Sequence, residues 1–305
     1  MDAGIEADGL IKRFDGRAVV DGVSFTVPRG QIFGFLGQNG AGKTTTLRML
    51  LGILDPDGGV RRILGDDNPL RQSHRVGYLP EERGLYPAMQ VREVIAYFGA
   101  LRGLPLAEGR RRADALLDDH SLGAHKRARV RDLSKGMAQK VQLLATLVHQ
   151  PELIVLDEPF SGLDPINQQE LESLIRAQTA RGATILFSTH VMAHAQQLCD
   201  ELVIIAKGKT RFQGSVDDAR QRLPSRVNLA TTHPVADGLL PAGAVQDGAG
   251  YQFDLPPEGI EPTLQRLLAS GAGLREFTVE RPTLHDAFVA IVGDDAQTDR
   301  EGMLA

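Results

Sequence analysis

Gly37-Gln38-Asn39-Gly40-Ala41-Gly42-Lys43-Thr44 is the stretch of sequence that decides the fold. It matches the phosphate-binding pattern of a glycine, four residues and then Gly-Lys-Thr. The largely apolar residues 31–36 before it indicate a buried strand, and Lys43 to Leu54 shows helical apolar spacing. A glycine-rich turn between a strand and a helix N-terminus directs backbone N–H groups toward phosphate oxygens. The stretch therefore predicts a nucleotide site in a strand–loop–helix unit.

The side chains of this loop have separate expected tasks. Lys43 is expected to reach the β- and γ-phosphates of the nucleotide, and the Thr44 hydroxyl is expected to bind Mg²⁺. Thr45 can donate to another phosphate oxygen. The remaining phosphate contacts are expected from the loop residues Gly37, Gln38, Asn39, Gly40, Ala41 and Gly42.

Composition limits the classes of protein to consider. The chain has 305 residues, 42% of them hydrophobic, which allows one large or two modest domains. Cys199 is the only cysteine, so an internal disulfide is impossible, which fits a reducing cytosol. The net charge of −5 argues against a nucleic-acid partner. No run of eighteen apolar residues occurs, and the acidic start Met1–Asp8 is not expected to be a signal peptide.

Two carboxylates follow a second apolar run. Leu153-Ile154-Val155-Leu156 reads as a buried strand, and Asp157 and Glu158 come directly after it. Asp157 is expected to hold Mg²⁺ through its water shell. Glu158, one residue later, points elsewhere and is expected to polarise a water molecule for attack on the γ-phosphate.

Between these two motifs lies Leu133-Ser134-Lys135-Gly136-Met137. The segment resembles the signature sequence of ATP-binding cassette (ABC) ATPases, whose usual form is Leu-Ser-Gly-Gly-Gln; Lys135 and Met137 depart from that form. Members of that family dimerise head to tail. The resemblance therefore implies that Ser134 and the Gly136 N–H hold the γ-phosphate of ATP bound to a partner subunit.

Further segments resemble the same family at the family's spacing. Ser161-Gly162-Leu163-Asp164 is similar to the loop that crosses the dimer interface, which implies that Asp164 belongs to the nucleotide-binding residues at that interface. Ser188-Thr189-His190 is similar to the switch motif, which implies that His190 contacts the γ-phosphate and orients the attacking water with Glu158. Phe14 stands where the family has an aromatic residue that stacks on adenine.

One position departs from the family pattern. After Val76-Gly77-Tyr78-Leu79-Pro80 the family usually has a glutamine that touches Mg²⁺ and the attacking water, and this chain has Glu81. A carboxylate is also a good ligand for Mg²⁺. The run from Pro80 to Tyr86 is similar to a subset of prokaryotic ABC-2-type exporters, including sodium-extrusion ATPases, that carry a C-terminal α+β extension.

The resemblance implies an α/β P-loop ABC ATPase over residues 1–220. Its expected parts are a RecA-like core, an antiparallel β subdomain and a helical subdomain at about 88–150. From about residue 224, prolines and glycines become frequent and a small α+β domain is predicted over 224–292. Its predicted strands are 226–231, 251–255 and 274–280, and its predicted helices are 261–269 and 283–292. The polar residues 293–305 are expected to be disordered.

The leading hypothesis is the ATP-hydrolysing subunit of an ABC-type exporter, at the cytoplasmic face of the cell membrane. It requires separate transmembrane permease subunits and a second ABC ATPase subunit, either identical or different. An ABC ATPase of translation or DNA repair is a second hypothesis, but those classes usually carry two cassettes or a long coiled coil. A P-loop kinase or GTPase is a third, and it leaves the signature, Asp164 and His190 unexplained.

Overall fold

The computed structural model describes residues 3–82, 84–236, 238–248 and 250–302. They form two compact units, Met1–Ser215 and Val216–Ala305. Each unit has its own apolar core. Within the described residues, no helix is both long and apolar enough to cross a membrane.

A six-stranded sheet forms the centre of the first unit. Its strands are β3 (Ile32–Leu36), β5 (Val76–Leu79), β6 (Leu153–Asp157), β7 (Thr184–Thr189), β8 (Glu201–Ala206) and β9 (Lys209–Ser215). The strand order is β5-β6-β7-β3-β8-β9, and all neighbours are parallel except β8 and β9. Strands β3, β6 and β7 are buried along their whole length, which explains their continuous apolar sequences.

A three-stranded antiparallel sheet lies beside this core. Its strands β1 (Ala3–Phe14), β2 (Arg17–Pro28) and β4 (Gly58–Ile63) have the order β2-β1-β4. The turn between β1 and β2 contains Asp15 and Gly16, both at positive φ. The sequence indicates short strands here, but β1 and β2 each have 12 residues because β-bulges absorb their irregular pattern.

The helices of the first unit follow the parallel strands or form a separate helical region. They are α1 (Lys43–Leu50), α2 (Val91–Leu101), α3 (Leu106–Asp119), α4 (Lys135–Leu147), α5 (Pro165–Ala180) and α6 (Met192–Leu198). Short 3₁₀ turns lie at Pro69–Arg75, Gly123–His125 and Val130–Asp132. The pair Asp164-Pro165 predicts the N-cap and first turn of a helix. The start of α5 confirms this prediction, because Asp164 Oδ1 accepts hydrogen bonds from the N–H groups of Ile166 and Asn167.

The second unit combines an antiparallel sheet with three helices, in line with the predicted α+β class. Its strands β10 (Arg226–Thr231), β11 (Val245–Asp247), β12 (Gly250–Asp254) and β13 (Leu274–Glu280) have the order β11-β12-β10-β13. Its helices are α7 (Val216–Arg220), α8 (Glu261–Ser270) and α9 (Leu284–Gly302). Leu267 of α8 packs with Val227, Leu229 and Phe253 of the sheet.

Three features of this unit differ from the sequence-based expectations. The unit begins at Val216, inside the expected first domain 1–220, and its first helix α7 is not predicted. Strand β11 is not predicted, because its three residues are too few for a recognisable alternation. Helix α9 continues to Gly302, past the predicted end at residue 292 and into the tail expected to be disordered. That segment contains no proline, so no residue obstructs the helical backbone. Residues 303–305 of the expected tail lie outside the described residues.

Candidate functional site

Three strand ends meet at one edge of the six-stranded sheet. Strand β7 lies between β6 and β3, so the segments that follow these strands emerge side by side. Leu36 is paired with Thr189, and Asp157 is paired with Ser188. The carboxyl edge of a parallel sheet is where ligands usually bind in α/β proteins. The fold therefore gathers the phosphate loop, the carboxylate pair and the switch motif in one place.

The phosphate loop connects β3 to α1 and depends on its glycines. Gly42 has φ +98°, and a Cβ atom there would lie 2.8 Å from the Val19 carbonyl oxygen. A Cβ atom on Gly37 would lie 2.7 Å from the Ile205 carbonyl oxygen. Gly42 is the N-cap of α1, and no described side chain caps the first N–H groups of this helix. These donors are therefore available for an anion.

Lys43 is folded over its own loop. Its side chain is 7% exposed, and Nζ donates to the Gly37 carbonyl oxygen at 2.7 Å and to the Gln38 carbonyl oxygen at 3.3 Å. Nζ also lies 3.4 Å from Glu158 Oε1. A buried ammonium group surrounded by oxygen atoms is well placed to exchange one of them for a phosphate oxygen.

Asp157 and Glu158 are both buried but point in different directions, as the sequence indicates. Asp157 is 1% exposed, and its Oδ1 accepts a hydrogen bond of 2.5 Å from Ser188 Oγ. Glu158 has φ +48°, a left-handed conformation that is unfavourable for a side chain other than glycine. Its N–H donates to the carbonyl and hydroxyl oxygens of Ser188, both at 3.2 Å. These bonds fix the turn that separates the two carboxylates.

His190 completes a row of three polar side chains. Its Nδ1 lies 2.9 Å from Glu158 Oε1, the oxygen that also faces Lys43. The His190 side chain is 47% exposed, whereas that of Glu158 is 9% exposed. Glu158 is therefore held between a cation and an imidazole, with the imidazole on the solvent side.

One cleft collects six of the thirteen residues predicted to bind nucleotide, together with Glu81 and Glu158. It is lined by Val19, Asn39, Gly40, Gly42, Lys43, Thr44, Thr45, Glu81 and Glu158. Glu81 thus shares a cleft with the Thr44 hydroxyl. Asp157 Oδ2 is buried and has no hydrogen-bond partner among the described residues. A buried carboxylate oxygen without a hydrogen-bond partner is the kind of ligand that a hard divalent cation such as Mg²⁺ prefers.

Ser134, Gly136 and Asp164 form a second cluster that does not line this cleft. Ser134 is the exposed N-cap of α4, and its Oγ accepts a hydrogen bond of 3.3 Å from the Met137 N–H. A Cβ atom on Gly136 would lie 3.1 Å from Asn167 Nδ2, so the start of α4 abuts the start of α5. Asp164 accepts hydrogen bonds from the Asn167 backbone N–H and from the Asn167 side-chain amide. These hydrogen bonds, chiefly the one from the backbone, lower the pKa of the Asp164 carboxyl.

Phe14 is also absent from the lining of the cleft. It ends β1 and is 46% exposed. The Lys12 ammonium group lies 5.8 Å from the centre of its ring. An exposed aromatic face at a strand end is available for stacking on a planar ligand.

Two residues of the site have roles that the sequence does not predict. Ser188 bonds Asp157 through its hydroxyl and receives the Glu158 N–H, so it orders both carboxylates. Its signal is weak, because a serine at the end of an apolar strand is common. Val19 lines the cleft and its carbonyl oxygen excludes a side chain at Gly42. That contact joins residues far apart in sequence and leaves no local pattern.

Several known proteins are similar to this chain over most of its length. The family model described as ABC transporter matches residues 20–161. An uncharacterised ABC transporter ATP-binding protein of Bacillus subtilis is 37% identical over 94% of this chain and 97% of its own length. The chain belongs to the ABC transporter ATP-binding proteins. Its α/β ABC ATPase fold is confirmed, and an ABC ATP-binding domain implies ATPase activity.

Other relatives and solved structures extend this comparison. A Nod factor export ATP-binding protein I of Burkholderia pseudomallei is 42% identical over 95% of this chain and 97% of its own. A solved ATP-binding subunit of an ABC transporter is 34% identical, with a TM-score of 0.66 over 72% of this chain and 92% of its own. CbiO1 of Clostridium perfringens, part of the ABC transporter complex cbiONQ, is 27% identical, with a TM-score of 0.63 over 70% and 89%.

Proposed function

We propose that this ABC protein hydrolyses ATP to drive export through separate transmembrane permease subunits. The observation that carries the proposal is the position of Glu158 Oε1, 3.4 Å from Lys43 Nζ and 2.9 Å from His190 Nδ1. This arrangement combines a phosphate-binding cation with a carboxylate base. The export direction is supported by the relatives named for Nod factor export.

ATP is held by the loop between β3 and α1. The backbone N–H groups of residues 37–45 and the start of α1 bind phosphate oxygens. Lys43 exchanges its carbonyl partners for β- and γ-phosphate oxygens, and Thr45 donates to a further oxygen. Phe14 stacks on the adenine ring.

Thr44, Asp157 and Glu81 would hold Mg²⁺. The buried, unpartnered Asp157 Oδ2 supports this assignment. Mg²⁺, when bound, supplies positive charge that stabilises the developing negative charge on the transferred phosphate. The proposed role of Glu81 is as an additional oxygen ligand in place of the usual glutamine.

Glu158 acts as the general base in hydrolysis. It accepts a proton from the water that attacks the γ-phosphate, and the buried position of its carboxylate limits competition from bulk water. His190 holds the γ-phosphate and fixes the direction of the Glu158 carboxylate through Nδ1. Because His190 remains 47% exposed, it can turn between Glu158 and a bound phosphate.

The active form is a head-to-tail dimer of cassettes. Ser134 and Gly136 lie at an exposed helix start outside the chain's own cleft, so they can face a nucleotide held by a second subunit. Asp164 lies at the same surface and contacts the partner. The dimer binds permease subunits at the cytoplasmic face of the cell membrane, and nucleic acid has no part in the cycle.

Glu158→Gln tests the catalytic assignment. It is expected to retain ATP binding and to lower the hydrolysis rate by about 10²–10⁴-fold, because it removes the base. An ATP-bound dimer should then accumulate on gel filtration. Glu276→Gln, on an exposed position of β13, is the matched control and should hydrolyse ATP normally. Turnover by Glu158→Gln within a factor of two of wild type contradicts the assignment.

Export is tested by co-expressing this chain with a transmembrane permease subunit, sought first in the adjacent reading frames. Co-expressed wild-type chain should support ATP-dependent efflux of at least one compound from a panel of ions and lipophilic drugs. The Glu158→Gln variant in the same complex should not. Uptake instead of efflux, or no association with the membrane protein, contradicts the exporter proposal.

A further inference from the structure

The segment that follows Glu158 is anchored to helix α4. Gln139, in the second turn of α4, donates from Nε2 to the Pro159 carbonyl oxygen at 2.7 Å. Proline has no N–H, so this carbonyl is the one backbone hydrogen-bonding group that Pro159 offers. The hydrogen bond therefore fixes the chain immediately after Glu158.

Two further contacts hold the start of α4 against residues 159–167. A Cβ atom on Gly162 would lie 2.6 Å from Lys135 Nζ, so the Lys135 side chain covers this glycine. Likewise, a Cβ atom on Gly136 would lie 3.1 Å from Asn167 Nδ2, so the Asn167 side chain covers Gly136. Neither contact reaches the backbone next to Glu158, whereas the Gln139 hydrogen bond does.

Glu158 needs support on both sides of its backbone. Its φ of +48° is unfavourable for a residue with a side chain. The preceding peptide is fixed through the Glu158 N–H, which donates to Ser188. On the following side, Ser161 N–H donates to the Glu158 carbonyl oxygen at 3.1 Å, and Gln139 holds the next carbonyl. If Pro159 is released, the turn can relax and carry the carboxylate away from Lys43 and His190.

We propose that Gln139 is a positioning residue for Glu158 and that it joins the signature helix to the base in the same chain. The inference rests on the proposed function, in which Glu158 is the base and Ser134 faces a second subunit's ATP. A shift of α4 when Ser134 engages that nucleotide is transmitted through Gln139 to the Pro159 carbonyl. Closure of the dimer around the second subunit's nucleotide thereby sets the position of the Glu158 carboxylate in this chain's own nucleotide site.

The test is steady-state ATP hydrolysis by full-length Gln139→Met. Methionine keeps the length of the side chain and removes the donor. The kcat value should fall by about 10- to 100-fold, because small misplacements of a reacting group have effects of that size. The KM for ATP should stay within a factor of two, since Gln139 does not line the nucleotide cleft.

Gln168→Met is the matched control. Gln168 Nε2 donates at 3.1 Å to the carbonyl oxygen of Leu163, at the far end of the same loop. Its loss should change kcat by less than twofold. Gln139→Asn is a second variant that keeps the amide but is one methylene too short, and it should show the same selective loss of kcat. If Gln139→Met does not fold, Gln139→Asn decides the test.

Unchanged kcat in the Gln139 variants overturns the inference, as does an equal loss in Gln168→Met, which would indicate general loosening of the loop. A rise in KM with unchanged kcat also overturns it. The proposed function fails separately, if Glu158→Gln retains hydrolysis. When Glu158→Gln abolishes hydrolysis and Gln139→Met does not reduce it, only the role of Gln139 is wrong.

Discussion

At the scale of single residues, the site depends on one carboxylate oxygen shared by two partners. Lys43 and His190 both face Glu158 Oε1, and the Lys43 and Glu158 side chains are less than 10% exposed. Buried opposite charges are weakly screened by water, so this contact is stronger than a surface ion pair. Phosphate oxygens must compete with Glu158 and two carbonyl groups for the Lys43 ammonium group.

Lys43→Ala should weaken ATP binding by about 10- to 100-fold, because a hydrogen bond to a charged group contributes about 1.5–3 kcal/mol. The backbone donors of the loop remain, so residual binding is expected. Equilibrium titration with a fluorescent ATP analogue measures the change. Lys209→Ala is the control, since Lys209 pairs with Asp21 on the surface and does not line the cleft. Unchanged affinity in Lys43→Ala would show that the loop does not hold phosphate as proposed.

At the scale of elements, the N-terminus of α4 is an exposed surface of the fold. Ser134 caps the helix through the Met137 N–H, and its position outside the cleft leaves it free to face another molecule. The beginning of α4 therefore has a local role in helix stability and a proposed role between subunits. Substitutions at Ser134 can separate the two roles.

Ser134→Arg should leave each chain's own ATP binding intact and prevent dimer closure, because a long cation blocks the approach of the partner. Ser134→Ala is the comparison variant: it removes the hydroxyl and its cap, a loss of about 1 kcal/mol in helix stability, but adds no side chain that blocks the partner. Mixing Ser134→Arg with Lys43→Ala should restore some hydrolysis, because one of the two composite sites in the mixed dimer is intact. If the mixture never exceeds the summed rates of the separate variants while subunit exchange occurs, the composite-site proposal is wrong.

The hydrogen bond between His149, which follows α4, and Val76 of β5 makes the stability of the fold depend on pH. His149 Nε2 lies 3.2 Å from the Val76 carbonyl oxygen, and burial lowers the His149 pKa to about 4. A histidine with a lowered pKa favours folding while it is neutral, so its contribution is complete above pH ~6.5 and is lost as the pH falls toward its folded-state pKa.

His149→Gln should reduce the loss of thermal stability between neutral pH and pH ~4, because glutamine can donate to Val76 without titrating. Thermal unfolding at several pH values measures this loss for both proteins. Burial also lowers the pKa values of His120 and His194. Because both proteins retain these two histidines, the difference between the two stability curves is due to His149. Parallel stability curves for the two proteins would contradict the assignment.

At the scale of the whole molecule, the chain consists of a nucleotide-binding unit and a second unit with its own core. All proposed nucleotide contacts lie in Met1–Ser215. In the second unit, α7 packs against α9, and Arg220 Nε donates to the Pro282 carbonyl oxygen at 2.7 Å. We propose that this unit regulates the ATPase or stabilises the dimer.

A chain that ends at Ser215 should still bind ATP, because every proposed nucleotide contact is retained. Combined with Glu158→Gln, this truncation should weaken ATP-dependent dimerisation, measured by light scattering beside full-length Glu158→Gln. The cut precedes α7, since cutting at residue 223 would leave α7 without its α9 partner. Full dimerisation together with normal regulation of hydrolysis in the assembled transporter would make the second unit a passive extension.

The nucleotide loop, the carboxylate pair and the α5 cap could be predicted because each is a short contiguous segment whose chemistry depends on neighbouring residues. Glycines before Lys43 and two acids after an apolar strand are recognisable without knowledge of distant contacts. Strand β4 was missed for the opposite reason. Half of its six residues, Gly-Gly-Val-Arg-Arg-Ile, are exposed, and the sequence has no clear alternation, so its pairing with β1 comes from tertiary contacts.

The sequence by itself determined which residues carry charge, donate hydrogen bonds or permit the sharp turn of the phosphate loop. Only the tertiary structure decided which of them meet. Strand order places β7 between β6 and β3, and this brings Ser188 to Asp157 and Glu158 and brings Lys43 to Glu158. The same folding leaves Ser134 outside the cleft. Contacts between distant segments follow from burial and strand pairing across the whole core, and no local pattern encodes them.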